Sequence, residues 1–171
     1  MTPPADIAPG AAPQTSAPRT LCLKHILVPY DFSSSATLAL QHAVAHARQF
    51  RSDLTLLHVV HLPFRGVGFG PGEPHGIEGP LLAETTKQLT TLAEELKQQK
   101  LVAKAIVRLG YPAHDIVEIT RQELIDLIVM GTHGRTGLKR ALLGSVASNV
   151  VRHAPCPVLV VREQTNECGK E

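Results

Sequence analysis

The chain has 171 residues, of which 43% are hydrophobic and 19% charged, and this composition suits one globular domain with a substantial core. Lys and Arg total 17 against 15 Asp and Glu, and the resulting net charge of +2 argues against nucleic acid as a main partner. Three scattered cysteines without a C-x-x-C pair indicate neither a disulfide framework nor a cysteine metal site, so a cytoplasmic location is expected. No apolar run reaches the roughly 18 residues of a membrane span, and we expect neither membrane association nor export.

The two ends of the chain differ from its middle. Residues 1–20 are rich in Pro, Ala, Thr and Ser and contain few large apolar side chains. Such a segment buries too little apolar surface to offset the entropy that it would lose on ordering. We therefore expect mobile tails over 1–20 and 163–171, outside a single domain that spans 21–162.

The domain is predicted to begin with a strand, a carboxylate and a helix. Residues 24–30 form a short apolar run that ends near Pro29, as expected for a buried strand. Asp31 and the serines that follow offer N-cap oxygens for a helix over 36–50, in which apolar residues recur at helical spacing.

A second buried strand is predicted over 53–60, and the order strand, helix, strand implies a right-handed parallel crossover. Residues 61–80 contain six glycines and four prolines, which predicts a long irregular loop. Helical spacing then returns over 81–100. Four leucines mark the apolar side of this helix: Leu82, Leu89, Leu92 and Leu96.

The third strand is predicted over 102–109, where two basic residues indicate a sheet edge. Pro112 favours the start of a helix, and we expect Ile116, Ile119 and Leu124 on its inner side. Two further apolar runs, 126–130 and Val158–Val161, are the fourth and fifth strands. Five strands alternating with helices predict one open, mostly parallel α/β sheet with helices on both faces.

The segment between the last two strands contains a regular glycine pattern: Gly131, two residues, Gly134, nine residues, then Gly144 and Ser145. A strand that leads through a Gly-rich loop to a helix N-terminus is a common phosphate site, because backbone N–H groups can approach the anion. No lysine follows the last glycine, so the P-loop pattern does not fit. We expect Ser145 to be the N-cap of a helix over 146–153.

Ligands of open α/β sheets bind at the carboxyl ends of the strands, where the strand order reverses. Asp31, the end of the second strand and the glycine loop should all meet there. Asp31 would repel phosphate, so it should face a base amine or a sugar hydroxyl. An acceptor at one end and a phosphate site at the other suit a nucleotide.

Three blocks of the sequence resemble the universal stress protein family: Ile-Leu-Val-Pro-Tyr-Asp31-Phe-Ser, Val-Met130-Gly131-Thr-His-Gly134-Arg-Thr-Gly, and Leu-Leu-Gly144-Ser145-Val followed by Arg-His-Ala-Pro-Cys-Pro-Val-Leu-Val-Val. The resemblance runs from about residue 23 to 162. It implies a Rossmann-like sheet in the order 3-2-1-4-5 and a homodimer joined through Val158–Val161. The complete Gly-2x-Gly-9x-Gly-Ser spacing is similar to that of the ATP-binding class.

The resemblance also implies roles for individual residues. Asp31 would be an acceptor on the adenine side, and Val59 or Val60 an apolar contact to the base. Met130 and Gly131 would lie near the ribose. The glycine loop would surround the triphosphate of ATP, with or without Mg2+. The full predicted site comprises Tyr30, Asp31, Val59, Val60, Met130, Gly131, His133, Gly134, Arg135, Gly144, Ser145 and Val146.

Simpler explanations stay open for several residues. Asp31 could be only a helix cap, and His133 could pack in an exposed loop rather than contact phosphate or act as a base. His42 and His46 have a spacing that can bind zinc, but no third ligand is evident, which favours a solvated helix face. Cys156 is expected to be buried near a strand end.

Two classes of function follow. The first is an ATP-binding regulatory protein of the stress response, a dimer whose nucleotide occupancy changes its conformation and its contacts with an unidentified regulatory partner. The second is an ATP hydrolase using the same pocket. Its hydrolysis should be slow, because neither an acidic metal pair nor a catalytic lysine is evident near the loop. A nucleotide-free dimeric scaffold is a third alternative.

The predicted N-terminal tail can be tested by truncation. Deleting residues 1–18 should leave the melting temperature nearly unaltered, because a segment without core contacts adds little to stability. Differential scanning calorimetry of the full and truncated chains would measure this, and a large drop in the shorter chain would contradict the prediction.

Overall fold

The computed structural model describes residues 23–61, 78–132 and 143–162. Strands and helices alternate along these residues. In chain order they are β1 (His25–Pro29), α1 (Ser34–Phe50), β2 (Asp53–His61), α2 (Glu78–Gln98), β3 (Ala103–Gly110), α3 (Pro112–Gln122), β4 (Leu127–Gly131), α4 (Ser145–His153) and β5 (Val158–Val161). The two predicted tails and residues 62–77 of the predicted loop lie outside the described residues.

The five strands form one parallel sheet in the order β3-β2-β1-β4-β5, which confirms the predicted fold class. The order reverses direction between β1 and β4, since β2 and β3 lie on one side of β1 and β5 lies beyond β4. No helix within the described segments is long and apolar enough to cross a bilayer.

Two hydrophobic cores lie on opposite faces of the sheet. α1 and α2 pack on one face, where they cover Ile26 and Val28, and α3 and α4 pack on the other, where they cover Leu27. Successive side chains of a strand point to opposite faces, so a sheet covered on both sides needs continuous apolar strands. The short apolar runs of the sequence have this origin.

Two predicted boundaries of the long loop were wrong. β2 continues to His61, and α2 already begins at Glu78, so Gly79 and Pro80 lie in a helical first turn. Proline is tolerated there because the first N–H groups of a helix have no intrahelical acceptor. A composition of glycine and proline alone therefore placed the helix start too late.

The prediction for Leu124 was also wrong. Ile116 and Ile119 are buried as expected, but Leu124 is 78% exposed and has a left-handed φ of 50°. α3 ends two residues earlier, and the chain turns so that Ile125 is buried instead. Helical periodicity missed this stop because neither glycine nor proline marks it.

β2 and β3 extend beyond the carboxyl end of β1. Pro29, the last residue of β1, is in register with Leu57, whereas the β2–β3 ladder continues to His61 opposite Gly110. Four residues at about 3.3 Å each make a two-stranded wall about 13 Å high. We call this extension the β2–β3 wall, and it borders the edge at which β1 and β4 end.

The first turn of α1 packs directly on the last residue of β4. A Cβ on Gly131 would overlap Ser35 Oγ and would lie 2.9 Å from the carbonyl carbon of Ser35. Only glycine fits this approach without displacement. Ser35 Oγ is itself buried and has no hydrogen-bond partner among the described residues.

Replacing Gly131 tests this contact. Gly131→Ala should lower the free energy of unfolding by about 1–3 kcal/mol, because α1 must move away from β4 to admit the methyl group. Urea denaturation measures the change. Gly79→Ala is the matched control, since a Cβ there meets nothing within 4 Å, and it should leave the midpoint unchanged or slightly higher.

A second variant separates steric overlap from other causes. Ser35→Ala removes a buried, unsatisfied hydroxyl and should not lower stability on its own. In the Gly131→Ala background it should recover part of the loss, which a double-mutant cycle detects. Equal midpoints for Gly131→Ala and the wild type would contradict the packing explanation.

Candidate functional site

The turn between β1 and α1 holds Asp31 in a defined position. Phe32 has a left-handed φ of 64°, a conformation that costs a residue with a side chain about 1–2 kcal/mol. Asp31 Oδ1 accepts hydrogen bonds from Ser33 N at 3.1 Å and from Ser33 Oγ at 2.6 Å. Ser33 is the N-cap of α1, and its Oγ accepts from Ala36 N. The cap role left open for Asp31 thus belongs to Ser33, which Asp31 supports.

A buried histidine ties this turn to the neighbouring strand. His58 Nδ1–H donates to the carbonyl oxygen of Tyr30 at 2.7 Å, since a carbonyl can only accept. The ring of Phe32 lies 5.2 Å from the rings of both Tyr30 and His58. The sequence reasoning assigned no role to His58 because the contact joins positions 28 residues apart.

The two valines at the end of β2 face opposite sides of the sheet. Val59 packs against the α3/α4 core, which also includes Met130 and Val146. Val60 follows directly in an extended strand, so its side chain points towards the α1/α2 side. The structure therefore brings Val59, Met130 and Val146 together and separates Val60 from them.

The N-cap of α4 is Gly144, not Ser145 as predicted. Gly144 has an extended ψ of 155° and its carbonyl oxygen accepts the first helical bond, from Ser148 N at 2.8 Å. The prediction favoured serine because a hydroxyl usually caps a helix, but glycine is also accepted there. No described side chain caps α4, and its first turn contains no acidic residue.

The first turn of α4 contains backbone N–H groups that no helical carbonyl accepts. The N–H groups of Ser145, Val146 and Ala147 have no acceptor within the helix, and the positive end of the helix dipole lies at the same place. Ser145 is exposed, as a ligand-contacting residue must be. The arrangement can bind an anion through backbone donors alone.

Two backbone hydrogen bonds close the base of the glycine loop. Gly144 N donates to the carbonyl oxygen of Thr132 at 2.8 Å, and Thr132 N donates to that of Val161 at 3.0 Å. The loop therefore leaves and returns at neighbouring points, next to the last residue of β5. The interior of the loop, with His133, Gly134 and Arg135, lies outside the described residues, and their roles stay predictions.

The histidine pair on α1 has a local explanation. His46 Nδ1–H donates to the carbonyl oxygen of His42 at 2.8 Å, and the His46 ring stacks on Phe50 at 6.3 Å. These contacts favour the helix-face explanation over zinc binding.

A second group of possible ligand atoms lies on α3, where those of His114, Asp115 and Glu118 are within 4.8 Å of one another. Its carboxylates already have partners. Asp115 Oδ2 accepts from Tyr111 N at 2.7 Å, and Arg108 Nη1 lies 3.2 Å from Glu118 Oε2. The group fastens α3 to the end of β3.

Cys156 precedes β5 and is half-buried rather than fully buried. Burial raises the pKa of its thiol above the ordinary value, although a backbone hydrogen bond involving Ile128 opposes this shift. The thiolate fraction at neutral pH is therefore small, and the side chain is a poor nucleophile.

A cleft of about 400 Å³ lies between α2 and the rings of Tyr30 and Phe32. Its other lining residues all belong to α2, on the α1/α2 side of the sheet. Among the described residues that line it, Tyr30 is the only predicted site residue. The cleft is thus distinct from the edge formed by Val59, Met130 and the start of α4.

Comparison with known proteins agrees with this architecture. A family model described as the universal stress protein family matches residues 23–162. Universal stress protein MJ0577 of Methanocaldococcus jannaschii is 33% identical over 157 residues, which cover 84% of this chain and 97% of that protein. Universal stress protein MJ0531 of the same organism is 37% identical over 145 residues, with 84% and 85% covered.

Solved structures share the fold. That of MJ0577 superimposes with a TM-score of 0.71 at 33% identity and covers 84% of this chain and 98% of that chain. A universal stress protein in complex with cAMP gives 0.61 at 22% identity, and one from Archaeoglobus fulgidus in complex with dAMP gives 0.58 at 19%, each covering 82% of this chain and 98% of the other. The family match extends over every element from β1 to β5, and the chain belongs to the universal stress protein family.

Proposed function

We propose that this protein binds ATP at the carboxyl edge of its sheet and acts in the cytoplasm as a dimeric regulatory protein of the stress response. Nucleotide occupancy would change its conformation and its contacts with a regulatory protein partner. The observation that carries the proposal is the start of α4, which no described side chain caps and whose first N–H groups lie beside the end of β4.

The phosphate side of the proposal rests on backbone chemistry. Three free N–H groups and the helix dipole favour negative charge, and the first turn of α4 contains no carboxylate to oppose it. Gly144 and Ser145 would contact the phosphates, together with Gly134 and Arg135 of the loop. Mg2+, where it accompanies ATP, would bind mainly through phosphate oxygens and water.

The base and sugar side rests on the strand ends. Gly131 follows Met130 as the last residue of β4, and the ribose would lie against the backbone at this strand end. Val59 provides an apolar contact on the same side of the sheet as α4. Asp31, held by Ser33, is a hydrogen-bond acceptor near the end of β1. The universal stress proteins solved with cAMP and dAMP are below 25% identity, so the proposal depends on these residues of this chain.

A short path leads from the proposed phosphate site to the edge of the sheet. Gly144 N bonds to Thr132 O, and Thr132 N bonds to Val161 O, the last residue of β5. A ligand that pulls on the start of α4 would therefore act on β5 through two hydrogen bonds. This path supports a coupling between nucleotide occupancy and whatever contacts β5.

The proposed dimer uses the same strand. β5 is an edge of the described sheet, and its first three residues, Val158, Leu159 and Val160, are only partly buried. An apolar edge strand favours pairing with another chain. A second copy of this protein would cover it.

Gly144→Asp tests the phosphate site. The new carboxylate would stand at the start of α4 and repel phosphate, so ATP affinity should fall at least about tenfold. Isothermal titration calorimetry measures the affinity. Gly79→Asp, the same substitution in the first turn of α2, is the matched control and should bind ATP like the wild type.

Unchanged affinity in Gly144→Asp would show that the phosphates bind elsewhere, and a wild-type protein without ATP binding would refute the function itself. Phosphate release measured in the same samples with Mg2+ separates the proposed binder from the hydrolase alternative. A binder should release phosphate no faster than the Gly144→Asp variant.

Val160→Lys tests the dimer. A charge on the edge strand should block pairing, so sedimentation should give a dimer mass for the wild type and a monomer mass for the variant at micromolar concentration. Val102→Lys, at a 63% exposed position of the opposite sheet edge, should remain dimeric. A monomeric wild type would contradict the proposed assembly.

A further inference from the structure

The top of the β2–β3 wall ends in two exposed rings that the resemblance does not assign to the site. His61 follows Val59 by two residues in the same strand, so its side chain lies on the same face of the sheet. The centroids of the His61 and Tyr111 rings are 6.0 Å apart, with an angle of 62° between their planes. Tyr111 is 62% exposed, and we call this pair the aromatic ledge.

The backbone of Tyr111 is held rigidly although its ring is exposed. Tyr111 N donates to Asp115 Oδ2 at 2.7 Å, and Asp115 N donates to Tyr111 O at 2.9 Å. A Cβ on Gly110 would overlap Asp115 Oδ2, so the chain before Tyr111 passes close to this carboxylate. Pro112 then fixes the start of α3.

This rigidity distinguishes the ledge from an ordinary surface tyrosine. The tyrosine side chain forms no capping bond to α3, and most of its ring is left out of the core. A tyrosine on a fixed backbone has only two side-chain torsions left to order, so it loses little entropy when a flat ligand stacks on its ring. Its ring contact with His61, which lies on the same face as Val59, places Tyr111 at the top of the wall, next to β3.

The strand order sets the direction in which a bound nucleotide would extend across the sheet edge. The start of α4 follows β4. On the far side of β1 lie β2, about 5 Å from β1, and β3, about 10 Å from β1. A nucleotide with its phosphates at α4 and its ribose at Gly131 must extend its base towards β2. The base would meet Val59 at the foot of the wall and the aromatic ledge above it.

We propose that Tyr111, flanked by His61, stacks on the nucleobase and makes the site selective for aromatic nucleotides over phosphate chains alone. This inference rests on the proposed nucleotide function and adds a recognition element to it. Stacking requires only a π face, so it would favour any base and would not by itself distinguish adenine from guanine.

The test compares Tyr111→Ala and Tyr111→Phe by calorimetry with ATP and with inorganic tripolyphosphate. Loss of the ring should weaken ATP binding about 5- to 150-fold, the range typical of base stacking on an aromatic side chain. Tripolyphosphate affinity should stay at the wild-type value, and Tyr111→Phe should bind ATP like the wild type. Leu124→Ala, at a 78% exposed position between α3 and the start of β4, is the control for removing an exposed apolar side chain.

Tyrosine fluorescence gives an independent measurement. The chain has no tryptophan and two tyrosines, so its emission comes from Tyr30 and Tyr111. Stacking should quench Tyr111 when ATP binds. Quenching by ATP should therefore decrease in Tyr111→Phe although the affinity is retained, which a purely structural role of the residue would not produce.

The outcomes separate the two proposals. Wild-type ATP affinity in Tyr111→Ala, with loss of binding in Gly144→Asp, would overturn the ledge and leave the nucleotide function intact. Equal weakening of ATP and tripolyphosphate in Tyr111→Ala would also overturn it, since the effect would then not involve the base. A wild-type protein that binds neither compound would refute the proposed function.

Discussion

The close approach of α1 to Gly131 is the contact on which the carboxyl edge of this protein depends. The backbone of Ser35 lies where any side chain at 131 would have to go, so the start of α1 rests directly on the end of β4. Asp31 and Ser33, whose hydroxyl donates to it, directly precede the first turn of α1, and the loop to α4 begins just after Gly131. Gly131 therefore sets the distance between the start of α1 and the end of β4.

The neighbouring strands give the edge its asymmetry. β2 and β3 continue past β1, whereas β4 ends at Gly131 and is followed by a loop and the N-terminus of α4. One side consequently presents Val59 and two aromatic rings, and the other is a group of backbone donors. Apolar contact and stacking suit a base, and free N–H groups suit phosphate. The extension of β2 and β3 and the start of α4 would therefore orient a nucleotide with its base towards β2 and its phosphates towards α4.

Backbone strain and hydrogen bonding hold the edge in place. Phe32 accepts a left-handed conformation that costs free energy, and the packing of its ring against Tyr30 and His58 helps to offset that cost. On the other side, the bonds from Gly144 to Thr132 and from Thr132 to Val161 connect the start of α4 with β5. The proposed ligand site and the proposed dimer strand are thus connected through two hydrogen bonds.

The sequence by itself determined the five strands and, through the family resemblance, their parallel order, because period, turn chemistry and motif spacing are local signals. The meeting of Asp31 with the Gly131 and Gly144 regions stays a prediction. The sequence misplaced the N-cap of α4 and the end of α3, since glycine can cap a helix and Leu124 turns the chain without a glycine or proline signal. Only the tertiary structure decided which of two adjacent valines faces α4. It alone also revealed the His58 contact and the ledge around Tyr111, because these depend on strand register and on residues far apart in the chain.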